Sequence, residues 1–228
     1  GVSTFTSASV GAATTDNNRD ASINIGLGAS ISQHTVNSLS LGTGGEERAR
    51  IDSSGRVLIG HDSSLSIGGG DNAPLQVSAT SAVVFGGARY VNSSSGPFLS
   101  LSKSRATTAG SNTIVQDGDD LGTLLFSGDD GTDLISKGAQ IQGQVDGTPG
   151  SNDMPGRLVF STTADGSASP TERARINSSG DVGIGTDTMN APLTVVQNDN
   201  AGYIASFRQK HASNSAQIII DSPSDSNI

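Results

Sequence analysis

Glu47-Arg48-Ala49-Arg50-Ile51-Asp52-Ser53-Ser54-Gly55-Arg56-Val57-Leu58-Ile59-Gly60 decides how this chain is read, because the stretch occurs twice. Glu172-Arg173-Ala174-Arg175-Ile176-Asn177-Ser178-Ser179-Gly180-Asp181-Val182-Gly183-Ile184-Gly185 aligns with it without a gap, 125 residues further on. Both copies run on to Ala-Pro-Leu-x-Val, at Ala73-Pro74-Leu75-Gln76-Val77 and at Ala191-Pro192-Leu193-Thr194-Val195, where the offset is 118. The first copy therefore carries seven more residues between its two motifs, around Gly68 to Gly70. A connecting loop is where such a length change costs little. Self-similarity of this kind marks a chain built from repeated supersecondary units, each unable to bury its apolar face alone.

Within the repeat, Arg48 and Arg50, then Val57 and Ile59, alternate on either side of Ser-Ser-Gly. That pattern predicts two short strands joined by a tight turn, with glycine at the position that needs a positive φ. Ala49 and Ile51 then share one face and the two arginines the other. The arginine face is expected to be solvated or salt-bridged, with Glu47 and Asp52 as partners; recognition of an anionic ligand is the rival role. Pro74 and Pro192 are expected at sheet edges or strand starts, since proline cannot donate to a central ladder.

The composition of the 228 residues agrees with short strands: 30 glycines and 36 serines against six Phe, two Tyr and no Trp. Turn chemistry recurs at short intervals and large core-filling side chains are scarce, which argues against an all-α fold. The formal net charge is −9 and the basic residues are scattered, so no cationic stripe is present to neutralise nucleic-acid phosphates. With no cysteine, disulfides and thiolate metal sites are excluded. No apolar run approaches the ~18 residues of a membrane span. The opening Gly1-Val2-Ser3-Thr4-Phe5 has neither an initiating Met nor a signal-peptide layout, and reads as the start of an interior or processed fragment. Alternating strands this poor in aromatics bury little apolar area in one chain, and small cores of this kind are rescued by disulfides, metals or oligomerisation. The apolar faces are therefore expected to close against copies of the same chain, in a threefold bundle that also covers exposed strand edges.

Four segments follow from the patterning. Residues 1–20 read as the end of a preceding strand unit and a polar linker. Residues 21–77 form an abbreviated module in which Ile23, Ile25 and Leu27 alternate, as do Leu39 and Leu41, and which the repeated hairpin closes. Residues 78–197 form a full module with strands expected at Val83 to Phe85, Phe98 to Leu101, Leu124 to Phe126, Ala139 to Val145 and Arg157 to Phe160. Gly128 to Thr132 and Asp146 to Gly150 are expected as loops. Residues 198–228 open a third, truncated module, with strands at Tyr203 to Phe207 and Ala216 to Ile220.

Few residues invite chemistry. His34, His61 and His211 lie far apart and show no metal-binding spacing, although a ring of three identical histidines on a trimer axis is compatible with any of them. The cluster Asp117-Gly118-Asp119-Asp120, with Asp129-Asp130-Gly131-Thr132-Asp133 nearby, raises calcium, but neither fits an EF-hand loop, and Gly68-Gly69-Gly70-Asp71 occurs once instead of as an array. Plain turns are the expected reading. Asp119 and Asp120 as a glycosidase pair would lack the aromatic walls of a sugar-cleaving cleft. There is no nucleophile elbow and no phosphate-cradling loop. No catalytic, cofactor or metal residue is assigned, receptor-binding residues stay unassigned, and the chain is expected not to be an enzyme.

Thr171-Glu172-Arg173-Ala174-Arg175-Ile176-Asn177-Ser178-Ser179-Gly180-Asp181-Val182-Gly183-Ile184-Gly185-Thr186, followed by Pro192-Leu193-Thr194-Val195, resembles the repeated region of bacteriophage tail fibres and related virion adhesins. Met154-Pro155-Gly156-Arg157-Leu158-Val159-Phe160-Ser161-Thr162-Thr163 and the opening Gly1 to Phe5 look like the same family. The resemblance implies an all-β, elongated, repetitive fibre, an intertwined homotrimer on the virion, with host-cell attachment as its role. Other tail or baseplate proteins and a host surface glycan or protein receptor are the implied partners, with no nucleic acid and no membrane insertion. A polysaccharide-degrading tailspike and a head fibre or capsid decoration protein are the alternatives. In such proteins these modules often precede a C-terminal self-cleaving chaperone domain, whose Ser and Lys chemistry has no counterpart in these residues.

Overall fold

In the computed structural model, residues 22–24, 29–32, 36–68, 72–80 and 84–197 are described. The expectations for residues 1–20, for Ile25 and Leu27, for 198–228, and for His34 and His211 lie outside them. Among the described residues there is no helix, and all regular structure is β. The chain divides into two compact units, residues 1–100 with Ser127–Lys137, and Leu101–Phe126 with residues 138–228.

The first sheet comprises β1 (Ser22–Asn24), β2 (Ala29–Ser32), β3 (Leu39–Thr43), β4 (Glu46–Ile51), β5 (Val57–Ile59) and β6 (Leu75–Val77), paired in chain order. The second comprises β7 (Asp120–Gly128), β8 (Ser136–Val145), β9 (Gly156–Thr162), β10 (Thr171–Ile176), β11 (Val182–Ile184) and β12 (Leu193–Val195), also in chain order. β1 to β5 pair antiparallel in succession, as do β8 to β11, whereas β5 with β6 and β11 with β12 are parallel. Both sheets are therefore mixed, and each ends on the second motif of the repeat.

The turn forms for the reason the sequence supplies. Asp52 Oδ1 accepts from the N–H groups of Ser54 and Arg56 at 2.9 and 3.0 Å, and Asn177 Oδ1 accepts from those of Ser179 and Asp181 at 3.0 and 2.8 Å. This is an Asx turn, in which a short polar side chain does the work of a backbone carbonyl. Gly55 and Gly180 follow at φ 78° and 86°, a conformation that costs glycine little and other residues more. Gly60 and Gly185, also at positive φ, leave the hairpin. A Cβ on either would strike the carbonyl oxygen of Ser78 or Val196 on the adjoining parallel segment. Pro74 and Pro192 immediately precede the edge strands β6 and β12, where their carbonyls accept from Val57 and Val182 N–H at 2.7 and 2.8 Å.

The expected strands at 124–126, 139–145 and 157–160 are present in β7, β8 and β9. Two are not. Val84 and Phe85, and Phe98 to Leu101, belong to no strand among the described residues; Val83 is outside them. Apolar β-formers supply the propensity for a strand, but a strand exists only where a partner satisfies its backbone.

Candidate functional site

Registering the strands of the first sheet sorts its residues into rows. Leu39, Ile51, Val57 and Leu75 form one cross-strand row, and Leu41, Ala49, Ile59 and Val77 a second on the same face. Between them, on the opposite face, runs Ser40, Arg50, Leu58 and Gln76. The second sheet repeats this: Leu158, Ile176, Val182, Leu193 and Phe160, Ala174, Ile184, Val195 on one face, with Val159, Arg175, Gly183 and Thr194 on the other.

Burial runs opposite to polarity. Every member of the row Ser40, Arg50, Leu58 and Gln76 is buried, whereas the Leu, Ile and Val residues of the two flanking rows are 36–57% exposed. The polar face is covered by its own loop: Gln76 Oε1 accepts from Leu65 N–H and Gln76 Nε2 donates to Leu65 O, both at 2.9 Å. Arg50 is accommodated by Glu47, whose two carboxylate oxygens each accept a 2.7 Å bond from the guanidinium. Those bonds raise the Arg50 pKa above its ordinary value despite burial. Asp52, expected beside these arginines, pairs instead with Arg56 at 2.7 Å, since its place at the head of the turn faces it across the turn. Arg48 is exposed and donates to Thr43 Oγ1.

Among the described residues the apolar face has no such cover. Leu39, Leu41, Ala49, Arg50, Ile51 and Val57 line an apolar cleft of 160 Å³. In the second sheet Leu124, Phe126, Leu158, Ile176, Ile184 and Leu193 stand exposed. Large contiguous apolar exposure on a soluble chain marks an interaction surface.

The segment joining β6 to β7, residues 78–119, carries the most exposed apolar groups. Phe85 is 79%, Tyr90 96% and Phe98 88% exposed, with Val91, Leu99 and Leu101 beside them. Part of it is tied locally: Arg89 Nη1 donates to Ser95 O and Gly96 O, and Ser104 Oγ bonds the backbone of Ser111, Thr113 and Ala106. Sequence reasoning expected strands at its two apolar clusters and did not single out Tyr90, although an aromatic side chain inside a Gly/Ser/Asn stretch is itself a signal.

The acidic clusters serve turns. Asp119 takes a bidentate 2.6 Å pair from Arg105, which holds its carboxyl far below the usual range, and Asp117 caps Gly147 N–H at 2.8 Å. Asp130 accepts from Ser136 Oγ and from the N–H of Thr132, which lower its pKa. Among the described residues no group of three or more His, Asp or Glu is placed to hold a metal ion. His61 Nδ1 lies 2.7 Å from Ser63 O, and its buried Nε2 has no protein partner. A cleft of 260 Å³ beside the second hairpin is lined by Arg173 and Arg175 but equally by Glu172 and Asp187. Arg175 is committed to Glu172 at 2.6 and 2.7 Å, so the cleft has no surplus positive charge for an anion.

An all-β chain of two mixed sheets whose apolar faces lie open is the class these features define. No family model matches it. No curated protein matches it either. Among solved structures it shares its fold with the carboxy-terminal domain of the bacteriophage T5 L-shaped tail fibre, at TM-score 0.54 and 16% identity over 88% of this chain and 87% of that one. It also matches that domain solved with its intra-molecular chaperone domain, at TM-score 0.54 and 14% identity, covering 89% of this chain and 63% of that one. The all-β tail-fibre fold implied by the resemblance is thus the fold observed.

Proposed function

We propose that this chain is a structural segment of a phage tail fibre, assembled as a homotrimer on the virion, which takes part in attachment to a host-cell surface and performs no catalysis. The observation that carries the proposal is the inverted burial of the first sheet, with Ser40, Arg50 and Gln76 inside and two rows of Leu, Ile and Val outside, in a fold shared with a tail-fibre domain. Covering each half-exposed Leu, Ile or Val is worth roughly 1 kcal/mol, so several such side chains per sheet favour association strongly. A second and third copy of the same chain present the same rows, and a closed threefold arrangement covers them without leaving an open end. Each fibre then contributes weak contacts that several fibres on one particle sum into firm attachment.

Sedimentation velocity and equilibrium across a concentration range test the assembly. The expected species is elongated, with three times the chain mass of 22.9 kDa. A compact monomer at all concentrations rejects the trimer. Incubation with host capsule or lipopolysaccharide tests the absence of catalysis, and release of reducing ends refutes it.

A further inference from the structure

We infer that an open cleft beside the second sheet binds a carboxylated sugar, with the Lys103 ammonium taking the carboxylate. The inference rests on the attachment reading above and adds where a surface saccharide is held and of which chemical class it is. The cleft, of 320 Å³, lies within one compact unit and is lined from two connections, residues 103–115 ahead of β7 and Met154 between β8 and β9. The chain builds it without help from a ligand. Ser104 Oγ accepts from the N–H groups of Ala106 and Thr113, both at 3.1 Å, and Arg105 N–H donates to Thr113 O at 3.1 Å, which closes residues 104–113 into a loop. Arg105 fastens that loop to Asp119 through two 2.6 Å bonds. The two connections are tied to each other by Gly147 N–H, which donates to Asp117 Oδ1 at 2.8 Å. Small-molecule sites take this form, a concave and largely pre-formed surface of apolar groups with a few polar ones.

The lining selects the ligand. Ser104 is spent on holding the loop, whereas the side chains of Lys103, Asn112 and Thr113 are in no hydrogen bond or ion pair among the described residues. The lining includes one cation and no carboxylate, and Asp119, which feels the Lys103 charge, is already neutralised by Arg105. On a chain of net charge −9, such a place can receive an anion. The cleft at Arg173 and Arg175 cannot, because Glu172 and Asp187 line it too. A lysine ammonium is a compact point charge suited to a single carboxylate, whereas planar recognition of a phosphate favours the fork of an arginine. Asn112 and Thr113 supply donors and acceptors for ring hydroxyls, and the half-exposed Ile114 and Met154 supply apolar surface for the C–H face of a sugar. With no aromatic platform in the lining, each copy binds weakly and repetition over copies supplies avidity.

Two measurements on the full chain test this. Calorimetry titrates an oligosaccharide containing glucuronate, the same oligosaccharide with its carboxyl groups reduced to alcohols, and inorganic phosphate. The expected result is binding of the first, about tenfold weaker binding of the reduced sugar and of the intact sugar to Lys103→Gln, and recovery in Lys103→Arg. Circular dichroism checks the fold of the variants, which an exposed side chain should not affect. No binding of the carboxylated sugar, equal binding of its reduced form, an unaltered Lys103→Gln, or tighter binding of phosphate overturns the site. Adhesion of the labelled chain to host cells, in competition with purified capsule or lipopolysaccharide, then separates the site from the attachment reading. Loss of adhesion in Lys103→Gln supports the site, and the polymer that competes is the source of the carboxylate. A native chain that does not adhere overturns the attachment reading and the site together. A native chain and Lys103→Gln that adhere equally overturn the site alone.

Discussion

The hairpin of β4 and β5 and that of β10 and β11 are one backbone filled in two ways. The turn is closed alike in both, by an Asx side chain and a glycine, and the exit glycine donates to Arg48 O in one and Arg173 O in the other, at 3.1 and 2.9 Å. The interiors differ. Leu58 is fully buried under the longer loop of the first copy, whereas the second has Gly183, beside which the side chain of Met189 from the shorter loop takes up the space. The loop is fastened by Gln76 in the first case and, in the second, by Thr194 Oγ1, which accepts from Asn190 N–H and donates to Ala191 O, each at 3.3 Å. Backbone demands are thus met by the same residues, while volume is conserved only as a sum over neighbours. Close-packed interiors tolerate exchanges of that sort.

The largest expected effects test the shared part. Gly60→Ala and Gly185→Ala each combine a positive φ with a collision against a carbonyl oxygen, and each is expected to cost on the order of 4 kcal/mol in chemical denaturation. A cost below about 1 kcal/mol at one site and not the other would break the equivalence.

The unshared part gives smaller, unequal numbers. Leu58→Ala should lose about 3 kcal/mol through lost burial and a residual cavity. Met189→Ala, at a half-buried position, should lose about 1 kcal/mol, and Gly183→Ala about 2 kcal/mol because its Cβ would meet Thr186 O at 2.6 Å. If Met189→Ala cost as much as Leu58→Ala, the two fillers would be equivalent rather than merely alternative.

The smallest effect is a pH dependence that separates the copies. Burial pushes the Asp52 carboxyl up, but the N–H and side chain of Arg56 and the N–H of Ser54 outweigh it, and its pKa lies below the ordinary value. The second turn has Asn177 there and is braced instead by Asp146, whose pKa is lowered chiefly by the N–H of Ser178, 2.7 Å away, and further by Arg157. A carboxyl with a depressed folded-state pKa stabilises fully above its unfolded value and loses that contribution as pH falls through the folded one. Both turns should therefore loosen below about pH 3.9, the ordinary aspartate pKa, as read by amide exchange at Gly55 and Gly180. Asp52→Asn should remove the acid response of the first turn only, and Asp146→Asn that of the second only. Equal effects on both turns would show that the response is global.

The contrast between the sheets and the 78–119 connection shows where reading from residues stops. Leu124 to Phe126, Ala139 to Val145 and Arg157 to Phe160 were legible as strands because each has a neighbour close in sequence, so propensity and pairing agree. Val84-Phe85 and Phe98 to Leu101 have the same local signal but belong to no strand among the described residues. The pairing of Asp52 with Arg56 was missed because alternation along a strand says nothing about what faces a residue across a turn.

The sequence by itself determined the all-β class, the duplicated hairpin with its Asx and glycine turn, the edge position of the two Ala-Pro-Leu strands and the separation of apolar from arginine-bearing faces. These follow from local dihedral preferences and from the period of two, which act within a few residues. Only the tertiary structure decided which face is covered. It placed Arg50 and Gln76 under their own loop and left the Leu, Ile and Val rows open, because burial depends on what the chain brings to a surface from elsewhere, and among the described residues nothing covers the most apolar one.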